Sequence, residues 1–323
     1  MIDRSGVVPG VPFGHPALFY RDDQEYLGGT VPFVGSGLEA GEPVAVAVPG
    51  PRLAALRATL GRPAASRVEW LDMTEAGRNP GRIIPGVLRA FADRHRAGRV
   101  RIIGEPIWPD RSTVEYPACA QHEALINLAF EGREVTILCP YDVSGLDPAA
   151  VADARVTHPV VIDGDGVHES PEYAPDHVIR RYNLPLPEPP PDAEPAEFAY
   201  DAGSLPLMRE FACERAAALG LDDGRAGDLE LAVNELGANS IVHAGGTGTF
   251  RIWAQNGHVV AEVRDEGKIT DPLVGRRPVN LGTDGGRGML MVNHLSDLVR
   301  LHTGPDGTTV RIYMRLRPED RAR

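Results

Sequence analysis

Residues 228–246, D-L-E-L-A-V-N-E-L-G-A-N-S-I-V-H-A-G-G, decide how the second half of the chain folds. Apolar residues recur along this stretch at helical spacing, and the glycine pair at its end stops the pattern, which predicts an amphipathic helix. Glu235, Asn239 and His243 follow one another four residues apart and therefore share one face of that helix. An amide oxygen can coordinate Mg²⁺, and a carboxylate can take a proton from an attacking hydroxyl. Taken alone, the spacing also fits a solvated helix face, and the downstream sequence decides between the two interpretations.

Short motifs follow the helix in a fixed order. Two strands, at 249–255 and 259–264, are joined by Asn256-Gly257, which is a strong hairpin signal. The remaining motifs are Asp265-Glu266-Gly267 at the end of the second strand, Gly285-Gly286-Arg287-Gly288 before a helix at 289–295, a strand at 297–303, and Gly307-Thr308 before a last strand at 308–316. Each motif is common by itself, so the information lies in their order.

In this order the motifs resemble the ATP-binding domain of the GHKL superfamily (gyrase, Hsp90, histidine kinases, MutL). Among the branches of that superfamily they look most like the anti-sigma-factor serine kinases of bacteria. The similarity covers about residues 200–316 and implies a Bergerat-type α/β sandwich, with helices on one face of a mixed sheet, that binds ATP and Mg²⁺. No phosphoacceptor-histidine helix precedes the motifs, which argues against a histidine kinase.

The resemblance also implies which residues bind the nucleotide: Asn239, Asp265, Gly267, Gly286, Arg287, Gly288 and Thr308. By that resemblance Asn239 would coordinate Mg²⁺, and Asp265 would accept a hydrogen bond from the adenine amino group. The glycines before and inside the last helix would place backbone N–H groups at the phosphates, where the helix dipole favours negative charge. Thr308 would support the adenine side of the pocket.

Glu235 would act, again by the resemblance, as the general base toward the hydroxyl of a protein substrate. Residues 268–284 would form the lid over the nucleotide, although they lack the Gly-x-Gly continuation seen in many relatives. His243 matches a variable basic position and receives no role.

The first half of the chain alternates short apolar runs with helical patterns. The predicted strands are 43–49, 68–71, 100–103, 135–139 and 160–162, and the predicted helices are 24–37, 52–60, 84–97 and 117–130. This alternation predicts a mostly parallel sheet with helices on both faces. Gly35-Ser36-Gly37 precedes a strand rather than following one, so the sequence predicts no phosphate-binding loop here.

Two stretches near the start, H-P-A-L-F-Y-R-D-D-Q-E-Y-L at 15–27 and V-P-F-V-G-S-G-L-E-A-G-E-P-V-A-V-A-V-P at 31–49, resemble the opening of the MEDS (DcmR-type) sensory domain. Cys139-Pro140-Tyr141-Asp142 and Thr157-His158-Pro159 resemble the later signature of that family. The similarity spans roughly residues 15–180 and implies a RecA-like parallel α/β domain used for sensing.

His15, Cys139 and His158 are residue types that could meet at a metal or ligand site of this sensory domain. The alternative is that Cys139 is a buried thiol ending a strand and that His158 is a turn residue. Glu123, with Asn127, repeats the Glu-x-x-x-Asn spacing, but no Asp-x-Gly follows in the right context, so we interpret this pair as a chance match.

A proline-rich segment, N-L-P-L-P-E-P-P-P-D-A-E-P-A-E-F at 183–198, separates the two halves. Such proline density excludes helix and favours an extended, semi-rigid linker. The sequence therefore predicts an α/β protein of two domains, a MEDS-like sensory domain at 1–182 and an ATPase domain at 199–318, joined by this linker.

Composition excludes several classes of partner. The net charge of −12 and the isoelectric point near 5.3 argue against direct nucleic-acid binding and against anionic membranes. No apolar run approaches a membrane span, and the first residues lack the features of a signal peptide, so we expect a cytoplasmic location. Three cysteines without a C-x-x-C pair indicate neither a disulfide framework nor a zinc finger.

Together these features predict a bacterial anti-sigma regulatory protein. It would be an Mg·ATP-dependent serine/threonine kinase that phosphorylates an anti-anti-sigma (STAS-type) partner, sequesters a sigma factor, or does both, under control of the N-terminal sensor. Analogy with relatives of the ATPase domain adds a homodimer to this expectation. One alternative is a nucleotide-gated binding module without phosphoryl transfer, and others are an atypical sensor histidine kinase or a metabolic ATPase.

Overall fold

The computed structural model describes residues 11–278 and 286–316. The chain divides into two compact units, Met1–Tyr182 and Asn183–Arg323. Residues 1–10, the part of the expected lid at 279–284, Gly285 of the glycine-rich motif, and the last residues of the expected ATPase domain at 317–318 lie outside the described residues.

The first unit is built on a predominantly parallel sheet of eight strands. The strands are β1 (Phe13–Gly14), β2 (Pro16–Tyr20), β3 (Val44–Val48), β4 (Val68–Asp72), β5 (Val100–Gly104), β6 (Val135–Asp142), β7 (Val160–Asp163) and β8 (Gly166–Glu169). Their order is β4-β3-β5-β6-β2-β7-β8, with β1 beside β6, and every pair is parallel except β7 with β8. The predicted α/β class with a mostly parallel sheet is confirmed.

Helices connect these strands. They are α1 (Asp23–Glu39), α2 (Gly50–Ala65), α3 (Met73–Ala76), α4 (Arg89–Arg94), α5 (Tyr116–Ala129), α6 (Pro148–Thr157) and α7 (Pro175–Arg181), with a 3₁₀ turn at Pro80–Arg82 and a π-helical turn at Ile84–Leu88. The sequence patterns do not predict β2, α6 or α7. Strand β2 is buried along its whole length between β6 and β7, so it lacks the alternation that marks a half-buried strand.

Glu105 lies directly after β5 and is 2% exposed. The Tyr20 hydroxyl donates a hydrogen bond to Glu105 Oε1 at 3.0 Å. The Arg52 guanidinium stacks over the rings of Tyr20 and Tyr26, 5.0 and 4.6 Å from their centroids. Burial raises the pKa of Glu105 to about 8, so this carboxyl is mainly protonated at neutral pH.

We expect Glu105→Gln to stabilise the first unit at pH 8 and to change little near pH 4.5. The pKa of Glu105 is about 8 in the folded protein and 4.5 for an unperturbed glutamate. The folded state therefore binds this proton more tightly than the unfolded state does. The stability that this group contributes is therefore complete below pH 4.5 and is lost as pH rises toward 8. Denaturant midpoints of both proteins across this range measure the effect. Identical pH profiles for wild type and variant would contradict the prediction.

In its described residues, the second unit consists of a five-stranded sheet with three helices. The strands are β9 (Ala196–Asp201), β10 (Thr247–Gln255), β11 (His258–Asp265), β12 (Leu298–Gly304) and β13 (Gly307–Arg315), in the order β12-β13-β11-β10-β9, and the helices are α8 (Leu205–Ala218), α9 (Asp223–His243) and α10 (Arg287–Leu295). The predicted α/β sandwich is confirmed. Its described strands pair antiparallel throughout, however, so the sheet is not mixed.

Helix α9 packs its apolar stripe into the core between the helices and the sheet. Leu229, Ala232 and Val233 are fully buried there, against inward-facing residues of β10, β11 and β13. Burying each aliphatic side chain of the size of Leu or Val contributes about 1.5–3 kcal/mol. The helix begins earlier than the apolar pattern because Asp222 caps it, its Oδ1 accepting a hydrogen bond from the Arg225 amide at 3.0 Å.

The proline-rich segment has neither helix nor strand before Ala196, where β9 begins. Its first residues belong to the second unit and bind along that unit's sheet. Asn183 exchanges two hydrogen bonds with the Thr303 backbone, at 2.8 and 3.0 Å, and Glu188 forms ion pairs with Arg251 and Arg264, both at 2.8 Å. The start of the proline-rich segment, residues 183–188, is therefore bound to the sheet of the second unit as a strap and is not a free linker.

Candidate functional site

A cavity of about 350 Å³ lies in the second unit between α9, the end of β11 and the start of α10. Its lining includes most of the residues that the sequence predicts for nucleotide binding: Asn239, Asp265, Gly267, Gly286, Gly288 and Thr308. Leu236, Val263, Met289 and Val310 add apolar wall. Of the predicted residues in the described part of the chain, Glu235 and Arg287 do not line the cavity.

Asp265 is held in place by a chain of hydrogen bonds. Its Oδ2 accepts from the Ser240 hydroxyl at 2.6 Å, and Ser240 Oγ in turn accepts from the Tyr200 hydroxyl at 2.8 Å. Its Oδ1 accepts from the Gly267 amide at 2.9 Å. The sequence analysis missed Tyr200 and Ser240, because nothing in a local pattern relates β9 to the loop after β11. A carboxylate fixed in this way presents a defined acceptor to the cavity.

Two glycines permit the close packing around Asp265. A Cβ on Gly267 would lie 2.5 Å from the Cβ of Ala244, the residue that ends α9. Gly307 has a φ of +111°, and a Cβ there would lie 2.1 Å from the Asp265 carbonyl oxygen. Any side chain at either position would displace the loop that carries Asp265.

Thr308 is hydrogen-bonded to the loop that follows Asp265. Its Oγ1 donates a hydrogen bond to the Gly267 carbonyl at 2.8 Å and lies 2.9 Å from the hydroxyl of Thr303. Thr303 Oγ1 also accepts from the Ile269 amide at 3.0 Å. The two threonines therefore tie the residues after Asp265 to strands β12 and β13.

The start of α10 meets the polar face of α9. Gly286 precedes the helix with a φ of +80°, and a Cβ on Gly288 would lie 2.6 Å from Glu235 Oε2 and 3.5 Å from Asn239 Nδ2. Because the first N–H groups of a helix have no partner within it, they favour an anion such as a phosphate. The carboxylate of Glu235 and the amide of Asn239 thus lie beside the N-terminal end of α10. Arg287 is exposed at this end.

The described part of the expected lid packs against α10. Lys268, Ile269, Thr270, Asp271 and Val274 line the cavity. The Gly275 carbonyl accepts a hydrogen bond from Asn293 Nδ2 at 3.1 Å, and a Cβ on Gly275 would lie 2.8 Å from the Met289 backbone. His243, which the sequence left without a role, also lines the cavity.

In the first unit, the structure brings together the three residues singled out as a metal or ligand site. His15 precedes β2, Cys139 lies within β6, and His158 ends α6, and Glu123 of α5 joins them. We call these four residues the histidine cluster. Cys139 is buried, as the alternative interpretation held, but it lies inside the strand because β6 continues to Asp142. Glu123, which the sequence offered only as a chance match with Asn127, was not predicted for this site.

The histidine cluster is fully enclosed, and burial sets its protonation. Burial and the neighbouring His158 lower the pKa of His15 to about 4. Burial raises the pKa of the Cys139 thiol well above its usual value.

Comparison with known protein families finds a match in each unit. Residues 14–159 match the MEDS model, described as the methanogen/methylotroph, DcmR sensory domain, and residues 198–314 match the histidine kinase-like ATPase domain. No curated protein matches the chain. Among the solved structures that match, the crystal structure of the RsbU and RsbW domains of Rv1364c from Mycobacterium tuberculosis is 24% identical, covers 41% of this chain and has a TM-score of 0.30. The match spans 34% of that protein, about a third of its length.

No helix in the described residues combines the length and the apolar character needed to cross a membrane.

Proposed function

We propose that this chain, which joins a MEDS sensory domain to a histidine kinase-like ATPase domain, is a partner-switching regulator that binds Mg·ATP in its second unit. It would transfer the γ-phosphoryl group to a serine or threonine of an anti-anti-sigma (STAS-type) partner, sequester a sigma factor, or do both. The observation that carries the proposal is one cavity in which a fixed carboxylate, an amide and a glycine-flanked helix start converge.

Asp265 would recognise adenine. Both of its oxygens are oriented by hydrogen bonds from Ser240 and Gly267, so the carboxylate is already in place before a base enters. The apolar wall of the cavity suits the flat faces of a purine. The exocyclic amino group of adenine is a donor and complements this acceptor, and a preorganised acceptor gains affinity because little side-chain entropy remains to be lost.

Asn239 and the start of α10 would hold the phosphates and the metal. The backbone N–H groups around Gly286 and Gly288 supply donors for phosphate oxygens. Asn239 would supply a hard amide oxygen to Mg²⁺, which usually keeps several waters and takes few protein ligands. Glu235, which approaches Gly288, would serve as the general base toward the substrate hydroxyl.

Phosphorylation would switch the partner by charge. A phosphoserine or phosphothreonine carries about two negative charges at neutral pH and weakens a docking surface that fits the neutral hydroxyl. A ligand on the first unit would regulate this step if it bound two states of the chain with different affinity.

We expect Mg·ATP to raise the melting temperature of the second unit, and we expect Asn239→Ala to abolish the part of this shift that requires magnesium. At about 100 times its dissociation constant, a ligand adds about 2.7 kcal/mol to the stability of the fold that binds it. Thermal-shift titrations with ATP, with and without Mg²⁺, measure the effect.

The matched control is Asn234→Ala, on a different face of the same helix, where Asn234 Oδ1 accepts only a long 3.5 Å hydrogen bond from Arg209. This variant should respond to Mg·ATP like the wild type. A wild-type protein that shows no shift, or an Asn239→Ala protein that shows the full one, would refute nucleotide binding at this site.

A further inference from the structure

The histidine cluster gathers four side chains that metal ions use as ligands. His15, Glu123, Cys139 and His158 are each at most 1% exposed, and one potential ligand atom from each lies within 4.8 Å of the others. The four residues come from four separate segments of the first unit, so their convergence is a property of the tertiary fold. This site lies in the first unit and is independent of the nucleotide site proposed above.

The hydrogen-bond network fixes which nitrogen of each imidazole carries a proton. Asn127 donates through Nδ2 to the Thr157 carbonyl at 2.9 Å, so its Oδ1, 3.2 Å from His15 Nδ1, faces that ring as an acceptor. His158 Nδ1 lies 2.8 Å from the Ala154 carbonyl, which can only accept. Both Nδ1 atoms therefore donate, and each neutral ring keeps a lone pair on Nε2.

Those lone pairs face a carboxylate. Glu123 Oε2 lies 3.4 Å from His15 Nε2 and 3.1 Å from His158 Nε2. Neither Glu123 oxygen, nor His158 Nε2, has a hydrogen-bond partner among the described residues. Burying a carboxylate without such partners costs several kcal/mol. A positive centre between these atoms, either a proton or a metal cation, would stabilise the arrangement.

Protons alone balance the charge in one arrangement, with His158 as an imidazolium beside Glu123 and the Cys139 thiol donating to His15 Nε2. Two imidazoliums would bury a net positive charge with nothing to neutralise it. A divalent cation together with the Glu123 carboxylate and a Cys139 thiolate is electrically neutral, and it accepts all four lone pairs.

Three of the six separations between the ligand atoms are close to those of tetrahedral coordination. Zinc–nitrogen bonds of about 2.0–2.1 Å and zinc–sulfur bonds of about 2.3 Å place neighbouring ligand atoms about 3.3–3.6 Å apart. Cys139 Sγ lies 3.4 Å from His15 Nε2, and the two nitrogen–oxygen separations are 3.4 and 3.1 Å. The outer hydrogen bonds from the Nδ1 atoms match the way proteins orient metal-binding histidines.

We propose that the first unit binds one divalent transition-metal ion of the zinc class through His15, Glu123, Cys139 and His158. A thiolate with two imidazoles selects zinc, cobalt or ferrous iron over magnesium and calcium, which prefer oxygen ligands. Four protein ligands fill a tetrahedral shell, so the ion joins β2, α5, β6 and the end of α6 rather than activating a water.

The test is metal titration of the full chain after treatment with a chelator, with Zn²⁺ followed by metal analysis and with Co²⁺ followed by absorption. We expect one equivalent per chain, with the visible bands of tetrahedral cobalt and a thiolate-to-cobalt charge-transfer band. Cys139→Ser should lose the charge-transfer band and weaken binding by more than the about 10–100-fold typical of outer-shell changes. Cys119→Ser, a buried cysteine of α5 outside the cluster, is the matched control and should behave like the wild type.

Asn127→Ala keeps all four ligands and removes the acceptor that orients His15, together with the Nδ2 hydrogen bond to the Thr157 carbonyl, so it decides the question if Cys139→Ser does not fold. We expect it to keep the charge-transfer band and to bind about 10–100-fold more weakly. The proposal is overturned if the wild type takes up no stoichiometric Zn²⁺ or Co²⁺, or if a folded Cys139→Ser protein binds with unchanged spectrum and affinity. If Asn127→Ala folds and Cys139→Ser does not, an Asn127→Ala protein that binds Zn²⁺ or Co²⁺ with wild-type affinity would also overturn the proposal.

Discussion

Replacing Glu235 by Gln should reduce phosphoryl transfer by about 10²–10⁴-fold, the usual contribution of a general base, while nucleotide binding is retained. Glutamine keeps the size of the side chain and loses the charge and the basic oxygen. The carboxylate reaches the start of α10, because Gly288 leaves the space that a side chain would fill. Glu235 lies beside the expected phosphates and outside the cavity that would hold the adenine ring. This position fits a role in the chemical step rather than in nucleotide binding.

The measurement is transfer of the labelled γ-phosphoryl group from Mg·ATP to a purified STAS-domain protein that forms a complex with this chain. Thermal shift with Mg·ATP measures binding in parallel. Glu230→Gln is the matched control, since Glu230 lies on the same helix and pairs with Arg209 at 3.7 Å. Transfer that persists at the wild-type rate in Glu235→Gln would rule out the assigned base. Binding without transfer in the wild type itself would favour a nucleotide-gated module that sequesters its partner.

Replacing Asp265 by Asn should weaken ATP binding by at least about tenfold, because a hydrogen bond to a charged group contributes about 1.5–3 kcal/mol. The same change should remove the preference for ATP over GTP. Guanine presents a carbonyl oxygen where adenine presents its amino group, and that oxygen is repelled by a carboxylate but tolerated by an amide that can rotate. Selectivity should therefore fall together with affinity.

Calorimetric titration with ATP and GTP in the presence of Mg²⁺ measures both quantities. Asp271→Asn is the matched control: Asp271 also lines the cavity, but its oxygens bind the Leu273 amide at 3.0 Å and Arg277 at 3.1 Å. It should keep the preference for ATP. Equal discrimination by Asp265→Asn and the wild type would place adenine recognition on other residues.

The sequence determined the features that depend on local periodicity. The body of helix α9 follows from apolar residues at helical spacing before a glycine pair, and its polar face follows from the same spacing, whereas its start at Asp222 was not predicted. The hairpin of β10 and β11 follows from Asn256-Gly257, where Asn256 has a φ of +48°. The order of these motifs also predicted the class of the second unit, through its resemblance to the ATP-binding domain of the GHKL superfamily.

Only the tertiary structure decided which distant residues meet. The histidine cluster depends on β2 lying between β6 and β7, where Ala17 pairs with Cys139 and Pro16 with Val160. The Tyr200–Ser240–Asp265 chain and the strap from Asn183 to Thr303 likewise join segments far apart in sequence. Periodicity records which face of an element is buried. It does not record which strand lies beside it, and strand order is set by the packing of the whole sheet.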